Sequence, residues 1–235
     1  MEQSGTSPLL LGTVQDLAAG VVSALRGGGH APSAGPTAVG DGGGQLLPAA
    51  VRVTGADLLL PHVLLRTRPD EAELTLFRAA VDAFPPRADT APAIRWSHWA
   101  MTRALHRYAS SLPGRSGGGT PPEPDASWLD DASWQTLTHQ LAVLAPLALP
   151  GEDCAVARAA RRRPVDVARG FVRAVRRRDW RQAAGAGRWL TLLDGVPPTL
   201  GLEAGLNFVD LMGGTDPRVG LQVQAARSLR TGVSA

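Results

Sequence analysis

Apolar residues recur at spacings of three and four along most of this chain, interrupted by prolines and glycines, and that period belongs to the α-helix. A rod patterned this way must hide one stripe against another rod, which predicts an all-α fold, an irregular bundle of helical hairpins. The first such segment, residues 8–26, carries Leu10, Val14, Leu17, Val21 and Leu25 at this spacing. The next stretch, 27–45, holds eight glycines and two prolines, leaving too little apolar surface to offset the entropy of ordering its backbone. The expected organisation is a tethered N-terminal helical arm over 1–26, a flexible linker over 27–48, and one main helical domain over 49–235 with a loop at 113–124. The arm would lay its stripe into a groove of a partner or of the chain's own body.

Within the main domain, residues 51–54 (VRVT) alternate as a short strand would, although no second strand follows to pair with it. Thr67 and Asp70 offer a capping start to a helix over 69–84, which Pro85 and Pro86 stop. Ile94, Met101, Leu105, Tyr108 and Leu112 make one stripe over 93–112, and a helix from about Asp125 puts Trp134, Leu137, Leu141 and Leu144 on one face. Pro164 suits the first turn of a helix running to Arg178, with Val165, Ala168, Val172 and Val175 on one side and Arg169, Arg173 and Arg176 on another. Helices over 180–193, 199–212 and 217–230 complete the chain, the last opened by Thr215 or Asp216 and Pro217. In Trp180 and Ala183 the segment 171–190 resembles the second helix of a tetratricopeptide hairpin. That family's helix-one tryptophan, glycine and tyrosine are missing, and no second copy follows at about 34 residues, so an ordinary αα-hairpin is expected.

All 24 basic residues are arginine, a bias that reads as coding pressure from a GC-rich bacterial genome. Without lysine there is no Schiff-base nucleophile, no pyridoxal-phosphate anchor and no phosphate-loop lysine, and no cofactor is expected. Cys154 is the only cysteine, which rules out an intrachain disulfide and a cysteine-built zinc cage. Its neighbours Glu152 and Asp153 would raise the thiol pKa and disfavour a nucleophilic role. The N-terminal residues lack a basic leader, and no run of 18 uninterrupted apolar residues occurs, so a cytoplasmic protein without a membrane span is expected.

Charge is distributed unevenly. Residues 158–181 hold ten arginines (Arg158, Arg161, Arg162, Arg163, Arg169, Arg173, Arg176, Arg177, Arg178 and Arg181) against Asp166 and Asp179, a local net charge of +8. Guanidinium forks at this density would hold an acidic protein partner or, as the alternative, the phosphates of a nucleic acid. A recognised nucleic-acid reader motif is missing, so a non-enzymatic protein-interaction or adaptor module is the favoured reading.

An enzyme with a helical active site is the third reading. Asp130 and Asp131 resemble the paired magnesium-binding aspartates of helical prenyl-chain enzymes, but Ser133 and Trp134 stand where further carboxylates would follow, so these aspartates read as helix-terminal charges. His98, on the stripe of Ile94, Met101 and Leu105, reads as a hydrogen-bonded core histidine. With His106 pointing elsewhere and His30 in the linker, no metal ligand set is expected. Gly185 and Gly187, inside a predicted helix, suggest close helix approach.

Overall fold

A computed structural model describes residues 6–27, 45–109 and 121–233, and among them the fold is all-α, with no strand. Most of the 27–45 and 113–120 stretches lies outside the described residues, as does Leu112. The chain forms two compact units, Met1–Pro122 and Glu123–Ala235. The single domain expected over 49–235 is thus divided near the Gly/Pro-rich 113–124 stretch, and the N-terminal helix belongs to the first unit. A loop inside a domain and a boundary between two domains share the same composition, which is why sequence does not separate them.

The first unit contains α1 (Thr6–Arg26), α2 (Leu46–Thr54), a 3-10 turn over Gly55–Leu59, α3 (Leu60–Leu65), α4 (Glu71–Ala83) and α5 (Pro92–Ala109). The helix α1 packs along α2, burying Val14, Ala18, Val21, Ala24 and Leu25, while Leu17 meets the cluster built from Val51, Leu59, Leu74, Phe77, Val81 and Met101. Of the two docking places expected for the arm, these contacts lie on the chain's own body. By length and composition α1 also qualifies as a helix able to cross a membrane. Gly12 in α1 has open space where a side chain would sit, so Gly12→Ala is expected to raise stability by about 0.7 kcal/mol through helix propensity, checked by the urea midpoint.

Residues 51–54 are helical, not extended. Val51 is buried, half-buried Arg52 donates to Ser97 Oγ at 3.1 Å and to the Ile94 carbonyl at 3.3 Å, and no pairing strand exists among the described residues to reward an extended backbone. The linker expected to reach residue 48 ends earlier, because α2 starts at Leu46 and accommodates Pro48 in its first turn. Asp70 caps α4 as expected, its carboxylate accepting from the Glu73 N–H at 2.7 Å. In α5 the expected stripe is displaced: Ile94 is exposed, while Trp96, Trp99, Ala100, Met101 and Ala104 are buried. Trp96 and Trp99 meet edge to face at 5.1 Å, which rotates the helix toward its tryptophans.

The second unit contains a 3-10 turn over Ser127–Leu129, α6 (Trp134–Val143), a 3-10 turn over Ala145–Leu147, α7 (Ala155–Arg162), α8 (Pro164–Arg176), α9 (Trp180–Leu190), a 3-10 turn over Pro198–Leu200, α10 (Leu202–Gly213) and α11 (Pro217–Val233). No helix starts at Asp125. Asp130 and Asp131 lie in the turn before α6, whose true cap is Ser133, its hydroxyl accepting from the Thr136 N–H at 3.2 Å. The sequence expectation omits α7, an eight-residue helix whose buried face is Val156 with three alanines and whose other side carries arginines.

At the centre is α9, which packs against α6, α8, α10 and α11. Eight consecutive residues, Ala183 to Leu190, are buried, so this helix has no solvent-facing side over that span, and Arg188 is enclosed with the rest. Its small residues let the neighbours close in. A side-chain carbon on Gly185 would fall 2.6 Å from the Ala142 carbonyl oxygen of α6, and one on Gly187 would fall 2.6 Å from Leu206 of α10. The close approach expected of these glycines is therefore present. The face of α8 differs from expectation: Val165 and Val172 are exposed, and Val167, Ala168, Gly170, Phe171 and Ala174 are buried. Gly170 leaves room for Thr138 of α6, and Phe171 fills the space beside Gly187 and Gly205, so the apolar side that is buried is also the one whose shape fits its neighbours.

Candidate interaction surface

The ten arginines of 158–181 do not form one continuous cationic face. Arg158 reaches Glu123 at 3.2 Å and Asp153 at 3.5 Å, and Arg161 reaches Asp153 at 2.9 Å. Arg162 pairs with Asp130, Arg163 with Asp166 at 2.7 Å, Arg169 with Asp166 at 3.8 Å, and Arg181 with Asp216 at 2.6 Å. Four of these acids, Glu123, Asp130, Asp153 and Asp216, lie outside the basic segment, so folding brings in anions that a linear charge count does not see. Arg163 is further held by the Ala132 carbonyl at 2.7 Å, which makes it a bracket for the turn ahead of α6.

Four arginines are left without an acidic partner among the described residues: Arg173, Arg176, Arg177 and Arg178, all exposed. Arg173 and Arg169 both lie over the Trp134 ring, at 5.6 and 6.0 Å from its centroid. The other three stand at the α8–α9 turn. There the Arg178 N–H donates to the Val175 carbonyl and the Asp179 N–H to the Ala174 carbonyl, a Schellman closure whose left-handed position is filled by Arg178 at φ 57°. Glycine takes that conformation without cost, whereas a side chain there is strained by about 1 kcal/mol. Asp179 is occupied as the cap of α9, accepting from the Gln182 N–H at 3.2 Å.

Beside this turn lies an apolar ridge that the sequence reading did not single out. Trp180 opens α9 and lies on Gly213, where a side-chain carbon would come within 2.5 Å of its Cβ; its ring also meets Phe208 edge to face at 5.9 Å. Phe208 is 44 % exposed, Leu211 80 % and Met212 49 %, and Ala204 one turn before Phe208 is exposed as well. On the opposite side of α10, Leu206, Val209 and Gly213 are buried. The helix is thus apolar on two faces and uses only one of them inside the unit. Two apolar faces on one helix, readable in LEAGLNFVDLMG, are the sequence signal that could have located the ridge. Covering Phe208, Leu211 and Met212 would contribute about 4 kcal/mol of hydrophobic stabilisation.

The remaining candidate residues are placed separately. His98 is half-buried, with Nε2 3.3 Å from the Val81 carbonyl, and burial holds its imidazole below the usual histidine range. Cys154 is buried at the start of α7, where burial pushes its thiol up. Asp130, in contact with Arg162, is exposed. Among the described residues no group of three or more His, Cys, Asp or Glu side chains is arranged to hold a metal ion. Against known proteins, the chain matches no family model, no curated protein and no solved structure, so the ridge of α10 and the arginines beside it stand on their geometry alone.

Proposed function

We propose that this chain is a non-enzymatic helical interaction module that docks a protein partner on the exposed face of α10. The carrying observation is the ridge of Phe208, Leu211 and Met212, an apolar stripe with no partner within its unit, flanked by Trp180 and unpaired arginines. Aromatic, methionine and arginine side chains are the types enriched in interface centres, and a stripe of this kind is costly to leave in water unless something covers it. The cationic patch expected over the whole of 158–181 contracts in this reading to Arg173 and Arg176 to Arg178. The nucleic-acid alternative has less support, since carboxylates beside six of the ten arginines lower the positive potential that phosphates would meet there.

The test compares the full-length protein with Leu211→Asp as bait in extract from the native host. Leu211 is so exposed that the substitution leaves the fold intact, checked by circular dichroism and Tm. Proteins retained by the wild type should fall at least about tenfold with the variant, as a central interface residue requires. Equal recovery by both would remove α10 from the reading.

A further inference from the structure

We infer that the occupant of the α10 ridge is an amphipathic helix carrying acidic residues at the end that faces Arg176, Arg177 and Arg178. This deepens the interaction reading above and rests on it. Ala204, Phe208, Leu211 and Met212 recur at helical spacing and make a stripe about 12 Å long and one helix wide. Along its border stand Asn207, which accepts from Arg227 at 2.9 Å, and Glu203, paired with Arg230 at 3.1 Å. A narrow apolar stripe between polar borders matches the apolar edge of another helix, with anchors one turn apart. A lipid surface would instead be served by a broad apolar face with basic residues spread along it, whereas here the unpaired arginines gather at one end.

Charge supplies the polarity of the fit. Trp180 meets Phe208 of the ridge and lies on Gly213 at the C-terminal end of α10, and the α8–α9 turn lies just before Trp180, so the arginines stand toward that end of the helix. Complementing the α8 dipole accounts for Arg176 in the last turn of that helix. It does not account for Arg178, which lies past the helix end at a position that favours glycine. Every acid near the other arginines of the run is engaged within the fold, and Asp179 is engaged as a cap. Arg176 to Arg178 are exposed and have no carboxylate partner among the described residues, so an acidic flank on the incoming helix would complement them.

The test is a displayed library of randomised peptides, each about 16 residues so that a helix can form on the surface, panned against the full chain and counter-selected on Leu211→Asp. Enriched peptides should combine Leu, Ile or Phe at helical spacing with Asp and Glu grouped toward one end. Their affinity should fall about tenfold with Arg177→Glu and recover when the peptide acids are replaced by lysine. Arg178→Gly should raise Tm by a few degrees yet weaken binding, which separates folding from recognition. Enriched peptides that depend on Leu211 but are neutral or basic would overturn the acidic partner and leave the ridge in place. No enrichment, or enrichment indifferent to Leu211→Asp, would overturn the interaction reading itself. Two further arms overturn the inference in favour of other ligands. One is Leu211-dependent sedimentation with vesicles of about one-third phosphatidylserine in the absence of any selected peptide. The other is salt-sensitive oligonucleotide binding that Arg177→Glu abolishes and Leu211→Asp leaves unchanged.

Discussion

Arg188→Ala is expected to destabilise the second unit by about 4 kcal/mol, read as a shift of the urea midpoint followed by tryptophan fluorescence. Arg188 is 0 % exposed in the middle of α9, among the small residues that four helices close upon. Its Nε donates to the Ala148 carbonyl at 3.3 Å and its Nη1 to the Gln222 side-chain oxygen at 2.9 Å, so the guanidinium ties α9 to α11 and to the residue after the Ala145–Leu147 turn. Truncation removes donors from a buried carbonyl and a half-buried amide oxygen and leaves a cavity that close-packed helices cannot fill. Arg188→Met restores most of the volume but not the donors, so its loss should be smaller, about 2 kcal/mol. A midpoint unchanged in Arg188→Ala would show that the guanidinium is not part of the folded core.

The second large effect runs against helix propensity. Alanine is a better helix former than glycine by about 1 kcal/mol, so Gly185→Ala would stabilise an isolated α9. In the protein the added carbon would stand 2.6 Å from the Ala142 carbonyl oxygen and 2.9 Å from the Ala142 Cα, and backbone cannot swing aside as a side chain can. The seam between α6 and α9 must open, which also strains the Trp189 indole N–H bond to the Leu141 carbonyl at 2.6 Å. A net loss of about 3 kcal/mol is expected, seen as a fall in Tm of 10 °C or more on the scale of about 4 °C per kcal/mol. A rise in Tm would mean that α6 and α9 are not in the close register described. Gly12→Ala in α1, with open space around it, should move the other way and serves as the internal contrast.

How much of this was legible in the sequence depends on where each helix sits. Helices with one wet side announce themselves: Leu137, Leu141 and Leu144 were readable as a buried stripe and are buried, and Pro164 and Pro217 marked helix starts correctly. In α8 the buried Val167, Phe171 and Ala174 stand at spacings of four and three opposite Arg169, Arg173 and Arg176, so the period was present in the sequence and Val165 and Val172 were the wrong members of it. The central helix α9 was the hardest to recognise as central, since a helix buried on every side shows no amphipathic stripe. VRVT failed for the opposite reason: four alternating residues are too few to outweigh the helix that Val51 anchors.

The candidate surface was half legible. Arginine density drew attention to 158–181, but a linear count cannot know that Glu123, Asp130, Asp153 and Asp216 fold back onto it. The expected patch therefore contracted to the few cations at the α8–α9 turn, next to an apolar ridge that carries no charge to draw attention to it.

Because α9 is gripped along its length by four neighbours, a helix such as α10 rests on a bed that has little freedom to shift. A surface mounted this way is ready-made before any encounter. Under the proposed docking, the disorder given up on association would fall on the incoming segment, and variants that pre-fold that segment should gain affinity where changes to the bed would only lose it.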